Sequence, residues 1–239
     1  VPENYVVAAT GELQNTDEKE WLKTRASFTW EPVKEKEKTA GGQVKSTLRL
    51  FPESAKESKT LQYKQNSVHD FAWFADKRFI VNHDTCLLAS GKAINVFTYY
   101  TTQQNKGWDN SVKYSKDAVR HYSTLVGDYP YNIVQVVQGP ESFGGGMEYP
   151  TITVISPEGN AMSLDYVIAH EIGHNWFYGI LASNERKHPW MDEGMNSYYD
   201  AKYRLSKYGK QPQLERLTFE TKAVTKTDQP IELASEKFN

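Results

Sequence analysis

Two histidines four residues apart, His170 and His174, with a glutamate directly after the first, constrain this chain more than any other feature. Residues four apart share one face of an α-helix, so both rings can point a nitrogen at one ion only if this stretch is helical. Glu171 lies about 100° further round the helix axis. It misses a shared ion but can reach a water bound to it. Two ligands plus a carboxylate beside the nucleophile is what a metal hydrolase needs from one helix. The bland alternative is a pair of helix-surface histidines with a neighbouring acid.

Zinc in hydrolases takes three protein ligands and keeps one position open. A glycine three residues after His174 and a histidine six after it would mark one class, but Phe177 and Ile180 stand there, which excludes it. A glutamate from the next helix is the other option, and Glu193 lies 19 residues after His174. A helix end, a loop and the start of an antiparallel helix fit that interval, with Trp190 and Met191 packing the second helix on the first. Asp192 is expected to face elsewhere, and Glu185 and His188 to lie in a solvated connector. Upstream, Phe143–Pro150 sets Gly144, Gly145 and Gly146 before Glu148. Glycines let backbone approach a ligand closely. Such a strand could align an extended peptide by main-chain bonding, with Glu148 holding its cationic end. A Gly-rich turn with a solvated glutamate is the alternative.

The rest of the chain supplies the frame. The first hundred residues read as β: Val6–Ala8 before a turn at Thr10–Gly11, then Ala26–Trp30, Thr47–Phe51, Val68–Phe74, Arg78–Val81 and Ala93–Tyr100. Alternation over Lys45–Leu50 predicts a half-buried antiparallel strand, and the charged, glycine-ended run 31–42 an exposed loop or hairpin tip. The pattern changes near residue 105. A helix is predicted over 109–126 with Val112, Ala118, Val119, Tyr122 and Leu125 inward, then strands at Ile133–Val137 and Thr151–Ile155. Helices are predicted near 162–181, 191–207 and 212–224. This is an α+β chain, with a β-rich segment over 1–104 and a mainly helical core with a small sheet over 105–239.

Composition adds exclusions. With 28 Lys plus Arg against 30 Asp plus Glu, net charge −2, there is no basic field for nucleic acid. No apolar run is long enough to span a bilayer. The lone Cys86 can form neither an internal disulfide nor a cysteine-based metal site.

Taken together, these segments resemble the gluzincin aminopeptidases, the family of alanyl aminopeptidase and leukotriene hydrolase, in a bacterial branch. That family carries His-Glu-x-x-His, 18 residues, then Glu, and His170, Glu171, His174 and Glu193 stand at that spacing. Its Gly-x-Met-Glu-Asn motif is matched by Gly145-Gly146-Met147-Glu148-Tyr149, with Tyr149 in place of Asn. Val68–Asp76, Tyr129–Tyr131, His174–Gly179 and Trp190–Gly194 are also similar to it. Thermolysin-like endopeptidases share the zinc spacing but not the Gly-Gly-Met-Glu stretch.

The resemblance implies a thermolysin-like catalytic core, one Zn²⁺ per chain on His170, His174 and Glu193, and peptide substrates. It implies Glu171 as general base, Gly145, Gly146, Met147 and Glu148 as the substrate-binding stretch, and removal of a first residue whose α-amine Glu148 holds. It also implies that residues 1–104 begin in the tail of a saddle domain, and that a tyrosine supporting the oxyanion falls beyond Asn239. The isolated chain is therefore expected to be weak or inactive. An extracytoplasmic location is favoured over a cytoplasmic one. The rival readings are a zinc endopeptidase on the same scaffold and a non-catalytic peptide-binding module with a structural zinc.

Overall fold

The computed structural model describes residues 1–38, 44–102, 107–157, 160–209, 224–225 and 229–237. The predicted helix over 212–224 falls almost wholly outside them. Five strands form the central sheet: β7 (Ile80–Leu87), β8 (Ala93–Tyr100), β9 (Ile133–Gln138), β10 (Gly146–Tyr149) and β11 (Ile152–Ile155). Their spatial order is β10-β11-β9-β8-β7. The β9 strand lies at the centre, parallel to both neighbours, while β7 and β10 form antiparallel edges. Every residue of Ile133–Gln138 is buried. That explains why it is mostly apolar, because a central parallel strand is covered on both faces; Gln135 and Gln138 are its buried polar exceptions.

One face of the sheet carries three helices: α2 (Ser111–Leu125), α3 (Ala161–His174) and α4 (Met195–Tyr208). Ile94, Val96, Val134, Val136 and Ile155 meet Ala118, Val119 and Tyr122 of α2 and Leu164, Ile168 and Ile172 of α3 there. Burying each of the three large aliphatic residues of α3 contributes about 1.5–3 kcal/mol. Asn160 caps α3, its side chain accepting from the Met162 and Ser163 amides. Asp165, fully buried on α3, accepts from Tyr203 Oη at 2.7 Å and Lys207 Nζ at 2.9 Å, which fastens α4 to α3. The other face packs on the N-terminal segment. Strand β1 (Val6–Ala9) pairs with β6 (Trp73–Asp76), and β2 (Glu12–Leu13) with β5 (Tyr63–Lys64). Val6, Ala8, Leu13 and Leu22 cover Val81, Tyr99, Val137 and Ile152.

The structure corrects several expectations. Thr16–Thr24 is a helix, α1, inside the segment read as β throughout, and Ala26–Trp30 is not a strand. Asn15 at its head, Asp17 and Glu18 in the first turn and Lys23 in the last are ordinary helix signals. Within the run read as an exposed loop or hairpin tip, Val33–Lys38 is strand β3, paired antiparallel with β4 (Val44–Arg49) as the two arms of a hairpin, and its connection lies outside the described residues. Leu48 on that ribbon and Leu50 just after it are exposed, so the predicted half-buried face is not seen at these positions. Leu125 is exposed too, and Tyr114 and Ser115 take the inward positions on α2. Strand β6 starts at Trp73 rather than Val68, and β7 runs on to Leu87. No helix among the described residues is long and apolar enough to cross a membrane.

Candidate metal and peptide site

Helix α3 lies against β10, and its last turn carries His170, Glu171 and His174. It then widens into a π-helical turn over Asn175–Ile180, and a second π turn over Trp190–Gly194 leads into α4. Such widened turns concentrate at functional sites because they re-aim side chains. In the second, adjacent residues grip opposite ends of one ring. Asp192 Oδ1 is hydrogen-bonded to His174 Nδ1, while Glu193 Oε2 sits 3.7 Å from His174 Nε2. Asp192 therefore faces the site, contrary to the sequence expectation, but on the side of the ring away from the convergence point.

Three donor atoms meet there. His170 Nε2 lies 3.2 Å from His174 Nε2 and 3.2 Å from Glu193 Oε2. Ligands at about 2.0–2.2 Å on tetrahedral directions stand about 3.3–3.6 Å apart, so the triangle has the size a zinc ion requires. The protonation pattern agrees. His170 Nδ1 is 2.9 Å from Asp200 Oδ2, and His174 Nδ1 is bonded to Asp192. A carboxylate on Nδ1 fixes the proton there and leaves the Nε2 lone pairs facing each other, which only a cation or an added proton can satisfy. Burial pulls the pKa of His170 down, but Asp200, Glu193 and Glu171 together outweigh it and lift it to about 10. A second trio, Glu148, His174 and Asp192, is also clustered, but the His174–Asp192 hydrogen bond already occupies it.

Neighbouring residues hold this geometry. Arg204 grips Asp200 Oδ1 at 2.8 and 3.1 Å. Asn196, fully buried on α4, donates to the His170 carbonyl at 2.7 Å and accepts from Tyr122 Oη at 3.0 Å. Tyr199 stacks on Phe177 at 5.1 Å. Asn196 and Tyr199 join the turn at Trp190–Gly194 in packing the second helix on the first. Asn196 and Asp200 were not singled out from the sequence. Asp200 carried a signal, since it lies seven residues, close to two helical turns, past Glu193.

Glu171 lies flat against β10. A Cβ at Gly146 would sit 2.0 Å from Glu171 Oε1, so glycine there admits the carboxylate. Glu171 Oε2 is buried with no hydrogen-bond partner. Burial raises its pKa to about 7, against the pull of His174 and His170. Glu148, on the same strand, is pushed to about 8, first by burial. Gly145 is left-handed, with φ +84, and its carbonyl accepts from the Ser156 amide at 2.8 Å, closing the hairpin before β10. Met147 pairs with Val154 and is half-buried. Among the described residues no strand pairs with the outer side of β10, the antiparallel edge of the sheet. Beside Glu193 a cleft of about 760 Å³ is lined by Trp190, Met195 and Ile231. Glu185 is half-buried rather than solvated, and His188 is exposed beside Glu232.

The chain was compared with known proteins. Residues 110–235 match the model of the peptidase family M1 domain. Leukotriene A-4 hydrolase of Xenopus laevis is 31% identical over 106 residues, 43% of this chain and 16% of that protein. Leucine aminopeptidase 2 of Chaetomium globosum is 28% identical over 155 residues, 62% of this chain and 24% of that protein. The aligned stretches thus span between a sixth and a quarter of these relatives. An M1 zinc metallopeptidase from Deinococcus radiodurans superposes with a TM-score of 0.59 at 13% identity, over 98% of this chain and 45% of that one. Aminopeptidase A of Legionella pneumophila gives 0.52 at 15% identity, over 85% and 22%. At such identities the superpositions speak for the fold. With more than half of its length matched by the family model, and with the α+β core of the family's solved members, the chain belongs to peptidase family M1.

Proposed function

We propose that this chain carries the catalytic residues of a zinc aminopeptidase. The observation that carries the reading is one juxtaposition: the buried, unpartnered Glu171 Oε2 and the two facing imidazole lone pairs lie beside an open sheet edge bearing Glu148. His170, His174 and Glu193 would hold the ion. A zinc ion bound there acidifies a water and polarises a peptide carbonyl.

The chain's own groups supply the rest. A substrate backbone adds to the free edge of β10 as a further strand, which sets its depth along the site. Glu148 meets the α-amine, whose positive charge offsets the cost of a carboxylate in a buried position. Glu171 accepts the proton of the attacking water at Oε2 and returns it to the departing amine. Asp192 and Asp200 keep the Nδ1 protons in place, so both rings stay oriented through the cycle. A structural zinc would not need Glu171, which weighs against the non-catalytic reading, and Glu148 on the edge strand favours exopeptidase over endopeptidase.

Two measurements test this. Metal analysis should find one zinc per chain, lost in His170→Ala; stoichiometric zinc in that variant would refute the ligand set. In the full-length protein, a free-amine peptide should turn over at least about a hundredfold faster than its N-acetylated form, the size of effect a buried charge partner gives. Equal turnover would remove Glu148 from its role and restore the endopeptidase.

A further inference from the structure

The turn that ends β10 is held more tightly than a two-residue hairpin needs. Tyr149 pairs with Ile152, leaving Pro150 and Thr151 as the only loop residues. Thr151 has φ +71. Proline followed by a left-handed residue is the pattern of a type II turn, whose second central position normally takes glycine. A β-branched residue there is strained, and such strain persists only where the surroundings over-determine it. They do. Thr151 is fully buried. Its amide donates to Asn175 Oδ1 at 2.9 Å, and its carbonyl accepts from the Gln135 amide at 2.8 Å. Its hydroxyl oxygen accepts from the Gly11 amide at 2.8 Å.

These bonds join three parts of the molecule. Asn175 directly follows His174, and its own side-chain amide donates back to the Ile172 carbonyl at 3.0 Å. Gly11 belongs to the N-terminal segment, left-handed at φ +88, with the Gln135 side chain donating to Ala9 and Gly11 carbonyls beside it. What threonine offers over glycine at this position is its side chain, and the polar contact of that side chain is the Gly11 amide.

We propose that Thr151, together with Asn175, is a positioning residue that fixes β10 and Glu148 against the end of α3, and that its hydroxyl ties this placement to the N-terminal segment through Gly11. Its kinetic consequence rests on the aminopeptidase reading; its structural consequence does not. The turn is three residues from Glu148 and next to the helix end that carries His174. A shift of β10 along α3 would therefore move the amine-holding carboxylate relative to the ion without disturbing the ligands.

The test uses Thr151→Val, which keeps the shape and the strain but removes the acceptor, Thr151→Ser, which keeps the hydroxyl, and Thr151→Gly, which relieves the strain and also lacks it. In the full-length protein, amide hydrogen exchange at Gly146–Tyr149 should quicken about tenfold or more in the Val and Gly variants and stay at the parent rate in Ser. Zinc content should remain one per chain in all three. KM for free-amine peptides should rise about tenfold in Val and Gly with kcat within about twofold, the pattern of lost substrate placement, and Ser should restore it. Unchanged β10 exchange in a folded, zinc-loaded Val or Gly variant would overturn the proposal. So would a Gly variant that behaves as the parent, or a Ser variant that fails with Val. If the parent proves inactive on free-amine peptides while the exchange pattern holds, the functional reading fails and this one stands.

Discussion

Glu171→Gln should leave the fold and the bound zinc intact and lower peptide turnover in the full-length protein by about 10²–10⁴-fold, the range for loss of a positioned general base. Glutamine is nearly isosteric, so the slot against Gly146 remains filled, and the three convergent donors do not include residue 171. What disappears is the proton acceptor at Oε2. The substitution also removes a buried carboxylate that burial already disfavours in its charged form, so thermal stability should be equal or higher. The paired result, dead but at least as stable and fully metalled, distinguishes a catalytic role from a scaffolding one. Turnover within a few fold of the parent would move the base elsewhere.

Gly173→Ala should be among the most destabilising single-methyl changes in the chain. Helix propensity alone argues the other way, since alanine is favoured over glycine by about 1 kcal/mol inside a helix. The structure reverses the sign. A Cβ at residue 173 would stand 2.0 Å from Asn196 Oδ1 and 2.4 Å from Tyr122 Oη, both on fully buried side chains. Neither can step aside without breaking the link from Tyr122 through Asn196 to the His170 carbonyl. Overpacking costs about 1–3 kcal/mol, and breaking a buried hydrogen-bonded link adds about 1–3 kcal/mol more. Set against the propensity gain, the net loss is about 1–5 kcal/mol, a fall in Tm of about 2–20 °C for a chain of this size. Thermal unfolding of the zinc-loaded variant measures it. The same variant should bind zinc more weakly, because Asn196 holds α4, and with it Glu193, in register with α3. A rise in Tm would mean that propensity wins and that α2 and α4 yield at this point.

Much of this site was legible in the sequence because its chemistry is written at fixed spacings. His170, Glu171 and His174 lie on one helix, and helical geometry alone brings the two rings together. Glu193 and Glu148 were reachable by spacing and by their glycine neighbours, and β8 and β9 by their runs of β-branched and aromatic residues. What escaped was the layer that acts through other residues. Asp192 looked redundant beside Glu193, because an ordinary helical turn sends adjacent side chains apart; in the π turn the two reach opposite nitrogens of one ring. Asn196 and Gly173 are informative only as a pair across a helix interface, and their separation of 23 positions carries no periodic signal. The glycines were read as room for a ligand, whereas Gly146 makes room for Glu171. Helix α1 was lost among strands, although its acidic first turn was in plain view.

The place of β10 in the sheet has a consequence for what can reach the ion. An open edge recognises amide groups, not side chains. Only a segment whose own amides are unspent can dock, so residues already committed to helices or sheets of a folded protein do not register there at all. On the function proposed above, frayed ends and short peptides would be the segments that dock. A strand edge invites a second copy of the chain to zip on, and the brevity of β10 limits that hazard: it is four residues long, preceded by left-handed Gly145 and followed by Pro150, which has no amide proton to offer. The edge is long enough to hold the tip of a stranger and too short to template an aggregate.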